Sequence, residues 1–212
     1  MLQITVQSEQ LYLLPQKAVY WPARRTLILA DLHWGKTGHF RKNGIAIPAG
    51  TQQADEAKLS SLVRSLNTER LIIAGDMFHS KENKEVEQFS HWRSTHNQLA
   101  IDLVLGNHDI LPDASYTSYG ITLHENTLDT GPFVFCHDEL CDPRKFYMHG
   151  HIHPSITLSG RGRTSMRLAC FCMDEEKLVL PSFGSFTGSH KVAPGEYRNI
   201  YVIADDEVIQ WQ

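Results

Sequence analysis

Five short apolar runs, each ending in carboxylate, amide or imidazole side chains, constrain the fold of this chain more than any other feature. They are TLILADLH (26–33), LIIAGDMFH (71–79), IDLVLGNHD (101–109), FVFCHD (133–138) and KFYMHGHIH (145–153). Continuous apolar runs bounded by Gly and Asp are typical of buried strands. Because ligands of open α/β sheets bind at the carboxyl ends of strands, the runs predict a polar site at one edge of a sheet.

Two segments between these runs have the periodicity of amphipathic helices. In TQQADEAKLSSLVRSL (51–66), leucine and valine side chains recur at helical spacing, and Thr51 is the expected N-cap. NKEVEQFSHWRSTHN (83–97) places three apolar side chains on one stripe. The alternation of strands and helices predicts an α/β fold.

The rest of the chain has a different pattern. Segments 3–20 and 155–212 contain short strands separated by turns, which indicates an antiparallel or mixed sheet. The 212 residues suffice for one substantial core, and no repeat or linker divides them. We therefore expect one domain over residues 1–212, with two packed sheets and helices outside.

Composition excludes some classes of function. The formal net charge of −4 argues against a protein that coats nucleic acid by bulk charge, but it allows a local basic rim. No secretory signal and no membrane-spanning apolar run is evident, so we expect a cytoplasmic protein without membrane contact. Cys136, Cys141, Cys170 and Cys172 are then expected to be reduced thiols, with a structural zinc site as the alternative.

The polar residues at the ends of the runs form a donor set for metal ions. Their oxygen and nitrogen atoms suit Mn²⁺, Fe or Zn²⁺ rather than Ca²⁺ or a thiolate site. The set consists of Asp31, His33, Asp76, Asn107, His108, Asp109, His137, His151 and His153.

The order of these motifs resembles that of the calcineurin-like metallophosphoesterases. The signature reads DLH (31–33), GD (75–76), GNHD (106–109), a lone histidine at 137 and GHIH (150–153). Three longer stretches resemble the bacterial DNA-ligase-associated subfamily of that family: DLHWGKTGHFRKNGIAIPAGT (31–51), GHIHP (150–154) and LPSFGSFTG (180–188). The resemblance implies a four-layer α/β/β/α sandwich of two mixed sheets.

The same resemblance implies a role for each motif residue. Asp76 would bridge two divalent metal ions, for which Mn²⁺ is the expected identity and Zn²⁺ or Fe the alternatives. The first metal site would be completed by Asp31, His33 and His153. The second would be completed by Asn107, His137 and His151. His108 would be catalytic, stabilising charge on the phosphate, and Asp109 would orient its imidazole, with a turn-capping role for that carboxylate as the alternative.

Two further histidines have no place in that ligand set. His149 shares the stretch MHGHIHPS (148–155) with two predicted ligands, and we expect it to pack or to support a ligand. His79 follows the GD motif in GDMFHS and either lines the pocket or closes a loop.

The prediction of a nucleic-acid substrate rests mainly on the subfamily resemblance, and the basic loop after the first motif, WGKTGHFRK (34–42), adds some support. Its Lys36, Arg41 and Lys42 are predicted to bind substrate phosphates, although each can equally be a solvated surface charge. Arg144, Lys145 and the GRGR stretch (160–163) could extend this basic face. Trp34 or Phe40 would either stack on a base or pack in the core, and packing is the favoured role for each.

The expected function is metal-dependent hydrolysis of phosphodiester bonds in DNA, as a nuclease in DNA repair. Hydrolysis of small phosphodiesters or phosphomonoesters would use the same metal centre and remains the alternative. A non-catalytic interaction scaffold is a further alternative, disfavoured by the intact motif set. The subfamily resemblance also implies association with a DNA ligase, a helicase and an exonuclease.

Overall fold

In the computed structural model, two mixed β-sheets pack face to face. The structure describes residues 1–38, 50–79, 84–140, 144–160, 165–193 and 195–212, with only the backbone of 84–87. Of the residues predicted to contact substrate, Arg41, Lys42, Phe40 and the arginines at 161 and 163 lie outside these ranges, as does Cys141.

The first sheet has seven strands in the order in which they occur along the chain. Strands β1 to β4 pair antiparallel, whereas β4 to β7 pair parallel, so β4, β5 and β6 present their carboxyl ends at one edge. The strands are β1 (Leu2–Val6), β2 (Glu9–Leu14), β3 (Ala18–Trp21), β4 (Thr26–Leu29), β5 (Arg70–Ala74), β6 (Ala100–Val104) and β7 (Ile121–His124).

The second sheet has nine strands, ordered β14-β11-β12-β13-β10-β9-β8, with β15 pairing β12 and β16. Strands β9 and β10 run parallel, which places their carboxyl ends together. The strands are β8 (Thr127–Asp129), β9 (Val134–Cys136), β10 (Tyr147–His149), β11 (Pro154–Ser159), β12 (Ser165–Met173), β13 (Lys177–Val179), β14 (His190–Lys191), β15 (Asn199–Ala204) and β16 (Glu207–Gln210).

The α-helices whose bounds lie within the described residues are α1 (Thr51–Ser65), α2 (Lys84–Thr95) and α3 (Asp113–Ser118). Their apolar side chains, including Leu59, Trp92 and Tyr116, pack on the outer face of the first sheet against residues such as Leu29 and Ile73. Within the described ranges, no helix is long and apolar enough to cross a membrane.

Two other clusters complete the core. The cluster between the sheets combines side chains of the first sheet, such as Ile28 and Ile72, with Phe135 and Met148 of the second. The outer face of the second sheet is buried by strand and loop residues, with Tyr197 among them. Strict alternation along β12 explains this division, because Phe171 points to the inner cluster and its neighbours point outward.

The predicted α/β fold with two mixed sheets is confirmed. The predicted N-cap of the first helix is wrong by one residue. Gly50, in the left-handed region with a φ of 87°, precedes the helix, and Thr51 is its first residue. A glycine adopts this conformation at little cost. Because glycine has no side chain, the N-cap residue makes no side-chain hydrogen bond to the helix.

Asp102 in β6 forms the main buried ion network at the edge of the first sheet. Its Oδ2 accepts a hydrogen bond from Arg70 Nε at 2.8 Å, and its Oδ1 lies 2.8 Å from His124 Nε2. Burial alone would raise the pKa of the Asp102 carboxyl. The hydrogen bonds from Arg70 and His124 outweigh this effect and hold the pKa below its usual value.

Replacing Asp102 with asparagine is expected to lower the free energy of unfolding at neutral pH by about 1–3 kcal/mol, because Arg70 and His124 lose a charged partner. The folded pKa lies below the unfolded one. The contribution is therefore complete well above the unfolded pKa of about 3.9 and is lost as the pH falls through the folded value. Urea denaturation of both proteins at about pH 7 and about pH 3 measures the difference.

The difference in stability between wild type and Asp102→Asn should shrink at the acidic pH. Asp206→Asn, which changes an exposed carboxylate, serves as the control and should cost little at either pH. An equal difference at both pH values would show that the ionised carboxylate is not the source of the stability.

Candidate metal centre

The predicted ligands lie in the loops that follow five parallel strand ends. Asp31 and His33 follow β4, Asp76 follows β5, and the remaining ones follow β6, β9 and β10. The first two loops stay in register with each other, because the backbone N–H of His33 donates to Asp76 O at 2.9 Å. The side chains therefore converge where the carboxyl ends of β4, β5 and β6 of the first sheet meet those of β9 and β10 of the second.

The first candidate ligand cluster consists of Asp31, His33 and His153. One donor atom from each lies within 4.8 Å of the others, and His153 Nε2 is 3.4 Å from Asp31 Oδ1. Three of these atoms, Asp31 Oδ1, His33 Nε2 and His153 Nε2, are buried and have no hydrogen-bond partner in the described chain. Buried polar atoms without partners are costly, and a shared metal ion is a partner that would satisfy all three.

The second candidate ligand cluster consists of Asn107, His137 and His151. His137 Nε2 lies 2.9 Å from Asn107 Oδ1 and 3.0 Å from His151 Nδ1. His137 is buried, whereas Asn107 and His151 are exposed at the rim. The cluster is thus open to solvent on one side, where a substrate can approach.

Asp76 lies between the two clusters. Its Oδ2 is 3.9 Å from His33 Nε2, and its Oδ1 is 3.6 Å from His137 Nε2. One carboxylate oxygen therefore faces each cluster, which is the arrangement that a bridging ligand requires. Asp31 also has donor atoms near those of Asp76 and His137, so the two clusters are contiguous.

The protonation state of His33 suits a metal ligand. Burial lowers its pKa to about 2, and the neighbouring charges of Lys36 and of His79, His153 and His108 act in the same direction. The imidazole is therefore neutral at physiological pH, and a neutral imidazole is the form that binds metals.

Five of the predicted ligand residues have left-handed backbone conformations, with φ between 49° and 67°. This conformation is uncommon for residues other than glycine and is strained by about 1–2 kcal/mol per residue. It turns the chain sharply after a strand, so that the following side chain points back across the sheet edge. The five are Asp31, His33, Asp76, His151 and His153.

Two motif glycines allow the clusters to close. A Cβ atom on Gly75 would lie 1.9 Å from His137 Nδ1, and one on Gly150 would lie 2.4 Å from Asp31 Oδ2. Any larger residue at either position would displace a predicted ligand from a different strand. The glycines of GD and GHIH are therefore explained by close approach between the motifs.

Backbone groups hold the ligands in place. The N–H of His151 donates to Asp31 Oδ2 at 3.0 Å, and the N–H of His108 donates to Asp76 Oδ1 at 2.9 Å. Nδ1 of His153 lies 3.1 Å from the carbonyl oxygen of Gly188. This contact assigns the proton to Nδ1 of His153 and leaves its Nε2 lone pair facing Asp31.

His108 and His79 lie beside His33 of the first candidate ligand cluster. The His108 ring is 5.4 Å from the His33 ring and 4.6 Å from the His79 ring, measured between centroids. Nδ1 of His79 is 3.4 Å from Nδ1 of His33. The structure therefore places His79 beside the first cluster. The sequence had left two roles open for it, lining the site or closing a loop.

Asp109 does not make the contact predicted for it. In the described chain, its two oxygens accept hydrogen bonds from the backbone N–H groups of Phe78 (3.0 Å) and Gly106 (2.9 Å), not from the His108 imidazole. Burial raises the pKa of the Asp109 carboxyl to about 7 despite these bonds. The geometry favours the alternative role, in which this carboxylate joins the two loops after β5 and β6.

Among the predicted substrate-binding residues, only Lys36 is placed by the structure. It is half-buried, and burial lowers the pKa of its ammonium more than the carboxylates of Asp76 and Asp31 raise it. Its charge also acts on the pKa of His33, so Lys36 lies near the centre, and its contact with substrate stays a prediction. Lys145 and Arg144 do not extend this face, because they precede β10 at its opposite end, where Lys145 pairs with Asp129.

Other residues singled out in the sequence are structural. Trp34 is completely buried and packs edge-on against Phe89, so it cannot stack on a base. His149 is completely buried beside Tyr147, with a ring separation of 5.6 Å, outside both clusters. The described cysteines, Cys136, Cys170 and Cys172, are buried free thiols.

Known proteins resemble this chain in sequence and in fold. Residues 24–183 match the family model described as calcineurin-like phosphoesterase. The Pseudomonas putida nuclease MPE is 32% identical to this chain in sequence, and its crystal structure matches the fold with a TM-score of 0.85. The match covers 99% of this chain and 98% of that one. The phosphoesterase YfcE from E. coli is 15% identical, with a TM-score of 0.45, over 87% of this chain and 97% of that one. A search of curated proteins gave no match.

Proposed function

Because this chain belongs to the calcineurin-like phosphoesterase family, we propose that it is a metal-dependent phosphodiesterase that cleaves DNA. The family uses a dinuclear metal centre, and the two candidate ligand clusters with Asp76 between them match that requirement. The observation that carries the proposal is the set of three buried, unpartnered donor atoms of the first cluster, which one bound cation would satisfy together.

The donor chemistry fits two divalent ions. Asp31, His33, His153 and Asp76 would hold one ion, and Asp76 with the second cluster would hold the other. Imidazole nitrogens with carboxylate and amide oxygens suit Mn²⁺, our proposed ion, with Zn²⁺ or Fe as alternatives. When bound, such a pair supplies Lewis acidity that polarises the phosphoryl oxygens and lowers the pKa of the attacking water.

The chain's own side chains would then act on the phosphate. The loop that carries His108 is tied to Asp76 by its backbone hydrogen bond, and the His108 ring lies 5.4 Å from the ring of His33. From there we propose that it donates a proton to the leaving oxygen and stabilises charge on the phosphate. The Lys36 ammonium, beside Asp31 and Asp76, would add positive charge on the same side.

DNA is the proposed substrate because the similar Pseudomonas putida protein is named a nuclease and matches this chain along nearly its whole length. The resemblance of the longer motifs to the DNA-ligase-associated subfamily supports a further proposal. In that proposal the protein acts in DNA repair in the cytoplasm, alongside a DNA ligase, a helicase and an exonuclease.

A panel of three substrates tests the proposal. Circular single-stranded DNA, bis-p-nitrophenyl phosphate and p-nitrophenyl phosphate are each incubated with the protein and Mn²⁺, and again with a chelator. We expect cleavage of the DNA circle and of the diester, both lost with the chelator. Cleavage of the monoester alone would contradict the nuclease assignment, and cleavage of small diesters without DNA would replace it with a small-molecule phosphodiesterase.

A further inference from the structure

A cavity of about 190 Å³ opens beside the first ligand cluster. We call it the His153 pocket, because His153 forms one side of it. Another side is the segment 182–189, most of which belongs to the LPSFGSFTG motif that the predicted metal ligands do not use. The pocket therefore gives this motif a place in the site.

The segment 182–189 connects the pocket to the metal centre. Ser182 Oγ donates a hydrogen bond to Asp31 O at 2.9 Å, and the carbonyl oxygen of Gly188 contacts Nδ1 of His153 at 3.1 Å. The pocket wall thus holds two predicted ligands of one cluster. A group bound in the pocket would therefore lie beside His153, which is a member of that cluster.

The lining is basic and rich in hydroxyl groups. Lys17 and Arg167 line it together with serine and threonine side chains, and among the described residues none that lines it carries a carboxylate. Arg167 is exposed, and its Nη1 lies 3.4 Å from Ser189 Oγ. Four of the lining hydroxyls, those of Ser155, Ser182, Ser185 and Thr187, already donate to protein oxygens. The two cations and Ser189 are therefore the lining groups that are available to phosphate oxygens.

Of the two lining cations, Lys17 is the more buried one, and its ammonium is the better placed to bind an anion. It is half-buried in the turn between β2 and β3, and in the described chain its ammonium makes neither a hydrogen bond nor an ion pair. The neighbouring Lys58 is already used, since its Nζ donates to Phe183 O at 2.7 Å and pairs with Asp55 at 3.1 Å. Burial and the charge of Lys58 lower the pKa of Lys17 more than the Asp55 carboxylate raises it, and an anion in the pocket would offset both lowering effects.

We infer that the His153 pocket binds a phosphate group that flanks the scissile one in a nucleic-acid strand. This inference rests on the proposed function. A strand carries one phosphate per nucleotide, so a strand held at the metal centre presents a second phosphate to a neighbouring pocket, whereas a small phosphodiester has none to present. With a net charge of −4 over the whole chain, such local cations would provide the attraction to the strand.

Lys17→Ala and Arg167→Ala test the pocket in the full-length protein. We expect kcat/KM on single-stranded DNA to fall about tenfold for each variant, and far less on bis-p-nitrophenyl phosphate. The slope of log kcat/KM against log salt should decrease by about 0.7 for each lost contact. Arg198→Ala, which removes an exposed arginine paired with Glu175, is the matched control. Lys17→Arg should restore DNA cleavage if charge is what matters, which separates binding from misfolding.

Binding measured with a chelator present keeps the two proposals apart. Fluorescence anisotropy of a labelled oligonucleotide should show about tenfold weaker binding for both alanine variants. If wild-type protein binds DNA without cleaving it and the variants bind more weakly, the pocket stands and the nuclease proposal fails. If wild type cleaves DNA and the variants equal it, the pocket inference fails alone. Inorganic phosphate that stabilises wild type as much as the oligonucleotide does would also overturn it, in favour of a free-phosphate site.

Discussion

Replacing Asp76 with asparagine is expected to abolish metal-dependent hydrolysis while the fold is retained. The amide has the shape of the carboxylate and can still accept the hydrogen bond from the His108 N–H. It lacks the negative charge that would face both ligand clusters at 3.6 Å and 3.9 Å. We expect kcat/KM on bis-p-nitrophenyl phosphate with Mn²⁺ to fall at least about 10³-fold, which is about 4 kcal/mol of transition-state stabilisation.

The same variant gives a readout that does not depend on activity. A metal ion that binds only the folded state stabilises it by about 2.7 kcal/mol at 100 times its Kd. Mn²⁺ should therefore raise the Tm of the wild-type protein, and it should raise that of Asp76→Asn much less. Metal analysis of both proteins counts the bound ions. An Asp76→Asn protein with wild-type activity, or with an undiminished metal-induced rise in Tm, would remove Asp76 from the bridging position.

The convergence of the predicted ligands on one site could be predicted from the sequence because these residues directly follow the ends of strands. Each predicted ligand follows a buried apolar run, and parallel pairing of β4, β5 and β6 aligns their carboxyl ends by itself. The ordered motifs also predicted the calcineurin-like family and its two mixed sheets, and both predictions are confirmed. A side chain's place in such a site follows from its position after a strand, which the end of an apolar run reveals.

The contacts that support the ligands were not predictable in this way. Nothing in the residue types of Asp31 or His153 indicates a left-handed backbone, which residues other than glycine seldom adopt. Gly188 contacts His153 across 35 positions in the sequence. Such long-range backbone contacts leave no periodic signal.

Asp109 and Lys145 show why neighbourhood in sequence misleads. Asp109 adjoins His108, which suggested that it orients the imidazole, but a tight turn directs its carboxylate to the N–H groups of Phe78 and Gly106. Lys145 is six residues from His151, yet β10 separates them, and a strand carries its two ends to opposite edges of the sheet. The direction of the chain, rather than its composition, decides which charges meet at the site.

Replacing His108 with alanine is expected to lower kcat on DNA by about 10²–10⁴-fold, the range of general acid–base catalysis, without loss of metal. The metal centre should survive because the contact of residue 108 with Asp76 is made by its backbone N–H, which alanine keeps. The loss should be smaller on bis-p-nitrophenyl phosphate. Its nitrophenolate leaving group needs little protonation, whereas the alkoxide that leaves from DNA needs a proton.

Comparison of the two substrates identifies the role of the imidazole. His91→Ala, which removes an exposed histidine of α2, should leave both rates and the Mn²⁺-induced rise in Tm unchanged. An equal loss on DNA and on the nitrophenyl diester would indicate that His108 stabilises charge on the phosphate rather than protonating the leaving oxygen. Loss of the Mn²⁺-induced rise in Tm in His108→Ala would instead make His108 a metal ligand, because only a ligand couples this imidazole to metal affinity.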